Sequence, residues 1–377
     1  MRNYRCHVHT HPLRTNHTLS VMPLGDTLIT RMLDNQNAMQ AVVIDGEGSI
    51  WDEDRPRPEP EPGEALVRVS AVGICGSDIG LMEGEGPPWT DYPLVPGHEV
   101  CAEVVELGEG VEDLNVGDRV ALHGFVYCGT CTACREGRYY QCDDLKEVGF
   151  TIDGGYREYA ALPAYTLTPI PDDVSDLEAT QIDSAGCTLH GLQRVSTSFD
   201  DTGVVLGPGS LGLYGVQLLR AQGVKDVILT GTREERLEIG EHHGASLTIN
   251  VREEDPVERI LEYTDGKGAD ICVEAAGAGD VVNTCLKATR KRGNVVLTGV
   301  FGGMKEIDPN DIVSKELQVV GGVTASHTVD QVIDLFRRGD LSIDGIVTHE
   351  FDLAEYETAI ETVRERRDGV VKAVLRP

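Results

Sequence analysis

The stretch Thr202-Gly203-Val204-Val205-Leu206-Gly207-Pro208-Gly209-Ser210-Leu211-Gly212 decides the fold. Its first half is a short apolar run of the kind that forms a buried strand. Its second half fits G-x-G-x-x-G and opens a segment with helical character that stops at Gly223. A strand that turns through glycines into a helix lets a pyrophosphate approach the backbone and the helix N-terminus. The same pattern continues downstream. Apolar runs at 226–231, 246–250, 269–276, 294–300 and 317–322 are separated by helical segments at 233–244, 255–266 and 279–293. Six such runs in alternation with helices predict a doubly wound, parallel dinucleotide-binding sheet, an α/β fold, over residues 186–322.

The second strand of such a unit usually ends in Asp or Glu, which holds the ribose hydroxyls. Here it ends in Gly231-Thr232-Arg233. No carboxylate opposes a 2′-phosphate, and Arg233 offers a partner for one, so NADP is expected over NAD. The competing reading makes Arg233 the start of a solvated helix face.

Upstream, from Met39 to residue 185, the pattern is β-rich. Ala41–Ile44, Ala65–Val72 and Val100–Leu107 read as strands, with Pro, Gly and acidic punctuation such as 55–64 between them. Within this part, Cys128, Cys131, Cys134 and Cys142 crowd into one short lobe, 126–143. Four thiolates on short loops suit a tetrahedral structural zinc; an iron–sulfur cluster is the rival. Three further segments carry metal-ligand types: Cys75 in GICGSD, His98-Glu99 in PGHE, and Asp183 in QIDSAGCTLHG. Thiolate, imidazole and carboxylate together can hold a catalytic zinc with one position open for a substrate oxygen. After residue 323, helical patterns at 328–339 and 352–366 precede an apolar strand-like end at 369–377. That strand is expected to return to the β-rich catalytic domain, which makes the domain discontinuous, 39–185 and 323–377.

The chain has 377 residues and a net charge of −30, from 63 acidic and 33 basic residues, only eight of them Lys. Phosphate binding needs a basic face, so nucleic acid is not an expected partner. No apolar run is long enough to span a bilayer, so no membrane role is expected. The charge fits either an ordinary acidic enzyme of the cytoplasm or a halophilic one, whose self-repulsion is screened by salt. The clustered Cys point to metal in a reducing compartment. Residues 1–38 are net basic and hold His7, His9, His11 and His17. They are expected to be a disordered leader or an artefact of the start site, and dispensable.

GICGSD, PGHE, the four-Cys lobe and GPGSLG, in that order, resemble the zinc-dependent medium-chain dehydrogenases, the family of alcohol, sorbitol and threonine dehydrogenases. The resemblance runs from Met39 to Pro377. It implies catalytic zinc ligands at Cys75 and His98, with Glu99 beside or on the metal. Asp183, seven residues before His190, matches the remaining ligand as in the polyol branch. Ser77 matches the hydroxyl that takes the proton of an alcohol as hydride leaves the substrate carbon for the nicotinamide. Gly207, Gly209, Leu211, Gly212, Gly231, Thr232 and Arg233 fall where relatives hold the cofactor, and Lys372 where a basic residue lies near its pyrophosphate. The proton relay of many relatives ends on a His where this chain has Gly80, so the relay must end differently here. The resemblance implies a secondary-alcohol substrate (polyol, sugar or threonine-like), with Trp89 and Leu81 as candidates for the pocket wall, and a homodimer or homotetramer. The alternatives are a zinc-independent enone or quinone reductase on the same fold, or a nucleotide-binding protein without catalysis; the first would not need Cys75, His98 and Asp183 together.

Overall fold

A computed structural model describes residues 38–87, 90–325 and 327–377. The leader before residue 38 and Trp89 lie outside the described residues.

Six strands form the parallel sheet: β10 (Thr202–Leu206), β11 (Asp226–Gly231), β12 (Leu247–Asn250), β13 (Ala269–Glu274), β14 (Thr289–Leu297) and β15 (Gln318–Gly321). Their order is β12-β11-β10-β13-β14-β15, every pair parallel, so the chain reverses direction across the sheet between β10 and β13. Side chains alternate faces along each strand. Val205, Leu229, Val273 and Val296 enter one core, and Val204, Ile228, Cys272 and Val295 the other. Both faces are therefore covered, which is why the strands read as continuous apolar runs. This is the doubly wound α/β sheet that the glycine-rich turn predicts.

The β-rich part begins with the hairpin β1 (Ala38–Ile44) and β2 (Ser49–Pro56). Its main sheet contains β3 (Glu64–Gly73), β4 (Glu99–Leu107), β5 (Arg119–Leu122), β8 (Tyr159–Pro163), β9 (Leu167–Pro169), β16 (Val347–Asp352) and β17 (Lys372–Arg376). The order is β16-β17-β3-β4-β5-β9, with β8 on β3. A small ribbon, β6 (Phe125–Val126) with β7 (Lys146–Glu147), closes the base of the cysteine lobe. The last strand, β17, pairs antiparallel with β3 through Val374↔Gly73 and Leu375↔Val72.

The helix Ile182–Leu192 joins the two sheets. Ala185 and Leu189 share a core with Ala71 and Cys101 of the main β sheet and with Leu213 and Tyr214 of the nucleotide unit. The boundary expected between residues 185 and 186 falls inside this helix. The sequence changes pattern there, but the chain makes the crossing as a packed helix rather than a linker. A second difference lies at 279–293, read as helical throughout. The helix stops at Ala288, and Thr289–Arg292 already belong to β14. Arg290 explains this: its Nε lies 2.5 Å from Asp270 of β13, so a cationic segment is held in the sheet by a cross-strand ion pair.

Candidate active site

The site starts at a tight corner. Cys75 lies two residues beyond the end of β3 and caps the helix Gly76–Met82, whose Asp78 accepts a hydrogen bond of 2.9 Å from the Cys75 N–H. Ser77 stands in the first turn of this helix, two residues from Cys75. Gly73 is required by packing: a Cβ there would lie 2.1 Å from Glu99 Oε2. That single missing side chain lets the Glu99 carboxylate fold back over β3 toward Cys75.

Donor atoms of Cys75, His98 and Glu99 all lie within 4.8 Å of one another and could hold one metal ion. Asp183 is not in this set, but its charge couples to His98, Glu99 and Lys372, so it faces the same space. His98 Nδ1 lies 3.4 Å from Asp78 Oδ1, and neither atom has a hydrogen-bond partner. Asp78 is fully buried and also accepts from the Tyr156 hydroxyl at 3.0 Å. Burial alone would raise the Asp78 carboxyl. The facing His98 outweighs it, helped by Cys75 and Tyr156, and holds it below its usual range. Burial likewise opposes a charged His98, yet Asp78 raises it well above an ordinary imidazole. A carboxylate on one ring nitrogen turns the other toward a metal and raises its basicity. The donor chemistry therefore fits a zinc ion.

Lys372, expected near a pyrophosphate, is held at Glu99 instead. Its ammonium lies 2.6 and 2.8 Å from the two Glu99 oxygens and donates to the Ile74 carbonyl at 3.3 Å. Burial opposes its charge, but Glu99 outweighs burial and raises it. Ser184 also donates to Glu99, at 3.1 Å. Ser184 stands beside Asp183 at the start of the helix Ile182–Leu192. One turn on, the Thr188 hydroxyl is 3.2 Å from the Leu211 carbonyl inside the glycine-rich turn. One helix thus ties the metal-ligand cluster to the cofactor turn.

In that turn Gly207 has φ +110, and a Cβ there would meet Ala276 at 2.8 Å. A Cβ on Gly212 would lie 1.8 Å from the Gly207 carbonyl, while Gly209, the cap of the helix Ser210–Ala221, faces open space. The turn is closed where helix meets strand and open where a pyrophosphate would lie. A side chain at 231 would strike Pro208 at 2.5 Å, so Gly231 has a packing reason besides its missing carboxylate. Thr232 is exposed, and Arg233 caps the helix Glu234–His242. Burial lowers Arg233, and Arg366 and Arg252 lower it further. Arg236, pushed down to about 10 by burial first, also feels Arg233 and Arg366. Several guanidinium groups therefore converge beyond the end of β11.

The four lobe sulfurs also lie within 4.8 Å of one another. Backbone N–H groups serve them: Cys128 N–H donates to Cys142 Sγ at 3.3 Å, Cys131 N–H to Cys128 Sγ at 3.4 Å, and Cys134 N–H to Cys131 Sγ at 3.5 Å. Such donors favour thiolate. The Thr130 and Cys131 backbone, with the Thr130 hydroxyl, lowers Cys128 to about 6. A tetrahedral zinc fits this donor set.

A cavity of about 380 Å³ opens at the C-terminal ends of β14 and β15, lined by Tyr140, Gln141, His190 and Arg194 among others. His190 lies two turns along the joining helix from Asp183. Leu81, expected in the pocket wall, has no exposed surface and packs in the β-rich core instead. Glu147 is a site residue that sequence reasoning missed. Its charge couples to His98, Asp183 and Asp78, and no motif marks it.

Two matches agree with this arrangement. Residues 61–172 match the alcohol dehydrogenase GroES-like domain, and 210–338 the zinc-binding dehydrogenase domain. The chain belongs to the zinc-dependent medium-chain dehydrogenases, enzymes that couple alcohol oxidation to a nicotinamide cofactor. It is 34% identical over 325 residues to an L-threonine 3-dehydrogenase of Pyrococcus horikoshii, covering 83% of this chain and 92% of that one. It is also 34% identical to an erythritol/L-threitol dehydrogenase of Mycolicibacterium smegmatis, covering 88% and 96%. A zinc-binding dehydrogenase from Sinorhizobium meliloti 1021, solved with NADP, superposes with a TM-score of 0.83 at 32% identity, covering 90% and 99%. An alcohol dehydrogenase from E. coli CFT073, solved with NADH, gives 0.83 at 30%, covering 90% and 99%. None of the helices among the described residues is long and apolar enough to cross a membrane.

Proposed function

We propose that the chain oxidises a secondary alcohol (polyol, sugar or threonine-like) with NADP in preference to NAD, at a zinc held by Cys75 and His98, with Glu99 and Asp183 as its carboxylates. The convergence of the Cys75, His98 and Glu99 donor atoms within 4.8 Å, tied by one helix to the cofactor turn, carries this reading. When bound, the metal supplies a Lewis acid for the carbinol oxygen and the nicotinamide a hydride acceptor. Asp78 orients His98. Lys372 and Ser184 hold Glu99 beside the metal seat. Ser77, in the turn after Cys75, is the residue that would take the hydroxyl proton; Gly80 offers no imidazole to pass it on, so the relay ends differently here. Gly207, Gly209 and Gly212 would seat the pyrophosphate, and Leu211 and Thr232 are further residues that would hold the cofactor. The lobe cysteines Cys128, Cys131, Cys134 and Cys142 hold a second, structural zinc.

The arginines gathered around Arg233 support NADP. Like charges brought together are stabilised by an anion that joins them, and a 2′-phosphate is the anion this end of the cofactor offers. A homodimer is supported by the free edge of β15, where Val319 is 36% exposed and neighbouring Val323 and Val300 are 64% and 78% exposed. A second copy continuing the sheet would cover them. The nine described cysteines are all unpaired, which suits a reducing cytoplasm. The test is a screen of about twenty alcohols and sugars with NADP and NAD in molar salt, the condition the acidic surface favours. Reduction of NADP by polyols or secondary alcohols is expected; no turnover of any alcohol by zinc-loaded protein would refute the reading.

A further inference from the structure

Glu147 sits on β7, opposite Phe125 of β6. Its backbone is held on every side. The Glu147 N–H lies 2.7 Å from Thr151 Oγ1, that hydroxyl returns 3.2 Å to the Glu147 carbonyl, and the next residue, Val148, donates to Gly124 at 2.8 Å. The turn that follows carries Phe150, whose ring packs 5.1 Å from that of His98. The ribbon and the His98 imidazole are therefore built as one unit.

The side chain contrasts with this backbone. Among the described residues nothing donates a hydrogen bond to the Glu147 carboxylate, and no Lys or Arg pairs with it. Neighbouring Lys146 is exposed, and alternation along the strand sends it to the opposite face. Glu147 itself is half-buried and faces His98, Asp78, Asp183 and Cys187. Burial raises its carboxyl to about 7, with the neighbouring acids adding to the rise and His98 opposing it. A half-buried carboxylate with no donor among the described residues keeps its acceptor capacity free for a ligand. A rigid backbone presenting such a group at the metal seat is the signature of a position kept for a ligand.

We propose that Glu147 is a specificity residue that accepts a hydrogen bond from a second hydroxyl of the substrate, the one on the carbon next to the oxidised carbinol, and so selects vicinal diols and polyols. The proposal rests on the zinc dehydrogenase reading and narrows its substrate class. The Glu147 carboxylate feels the His98 charge, and Phe150 of the same turn packs on the His98 ring. A neutral hydroxyl can donate to this carboxylate; an ammonium is the competing donor, and an amino alcohol tells the two apart. The carbinol at the metal and the second hydroxyl at Glu147 would together fix which carbon gives up hydride.

Three probes that differ only in the group beside the carbinol test this: 2-butanol, 2,3-butanediol and 3-amino-2-butanol. Wild-type enzyme is expected to have its highest kcat/KM with 2,3-butanediol. In Glu147→Ala the ratio of kcat/KM for the diol to that for 2-butanol should fall about ten- to a hundredfold, chiefly through KM, as expected for a lost bond to a charged acceptor. Glu147→Gln keeps an acceptor oxygen and should retain more of the ratio than Glu147→Ala. Zinc content and melting temperature of both variants should match wild type. An unchanged ratio would overturn the proposal, as would a wild-type preference for the amino alcohol that Glu147→Ala abolishes. Loss of zinc from Glu147→Ala would make it a metal ligand and also overturn it. If wild type oxidises 2-butanol with no diol preference, only this proposal fails; if it oxidises no alcohol, the function reading fails with it.

Discussion

The ammonium of Lys372 lies 2.6 and 2.8 Å from the two carboxylate oxygens of Glu99, in a contact that leaves the lysine 4% and the glutamate 0% exposed at the side chain. The chain returns from its nucleotide-binding half to place this last-strand cation beside the metal-ligand cluster. Removing one partner of a buried pair strands the other charge, at a cost of about 3–5 kcal/mol. Lys372→Ala should therefore lower the stability of zinc-free protein by about that amount. The loss should be smaller in zinc-loaded protein, where the metal supplies Glu99 with a second counter-charge. Denaturant melts of both forms check this; equal losses with and without zinc would show that Glu99 does not sense the metal.

Cofactor choice follows from the arginines beyond β11. KM for NADP should be lower than for NAD. Arg233→Ala should weaken NADP binding by about 1.5–3 kcal/mol, the worth of a hydrogen bond to a charged group, and leave NAD little changed. Titration of both cofactors into wild type and variant measures it. Equal affinity for the two cofactors in wild type would return Arg233 to the role of a helix cap.

Salt dependence follows from charge. Residues 39–377 carry about two more negative charges than the −30 of the whole chain, because the leader is net basic. The screening length falls from about 10 Å at 0.1 M salt to about 3 Å at 1 M, so repulsion among neighbouring carboxylates fades over that range. Melting temperature and activity should rise as KCl approaches molar levels, measured with zinc and cofactor held fixed. A flat response would remove the halophilic reading and leave the enzyme assignment standing.

The sequence showed most plainly what depends on local spacing. The strands of the parallel sheet read as apolar runs because helices cover both faces at its centre, though β15 at the edge is largely exposed, and the four-Cys lobe read as a metal site because its ligands are neighbours along the chain. β5, β8, β9 and β16 were not legible. They are short, and several of their positions are polar or half-exposed, so what holds them is pairing with distant strands rather than a pattern of their own. The first residues of β14 were hidden for a related reason, since Arg290 gains its partner only from β13. Within the site, Cys75 and His98 stood in motifs. Asp78 could be named from GICGSD but not paired with His98, and the Lys372–Glu99 contact spans almost the length of the enzyme. Glu147 gave no signal, because one acid in an acidic chain looks like solvated surface until the fold turns it inward.

The proposed function requires two distinct metal sites, of which the one at Cys75 performs the chemistry. Zinc content per chain, measured together with alcohol-dependent cofactor reduction, in wild type, Cys75→Ser and Cys128→Ser tests it most directly. Wild type should hold about two zinc ions. Cys75→Ser should keep the structural ion, fold with a near-normal melting temperature and lose turnover, whereas Cys128→Ser should lose stability first. A Cys75→Ser protein that still turns over alcohol at the wild-type rate, or an active wild type with a single zinc, would contradict the account.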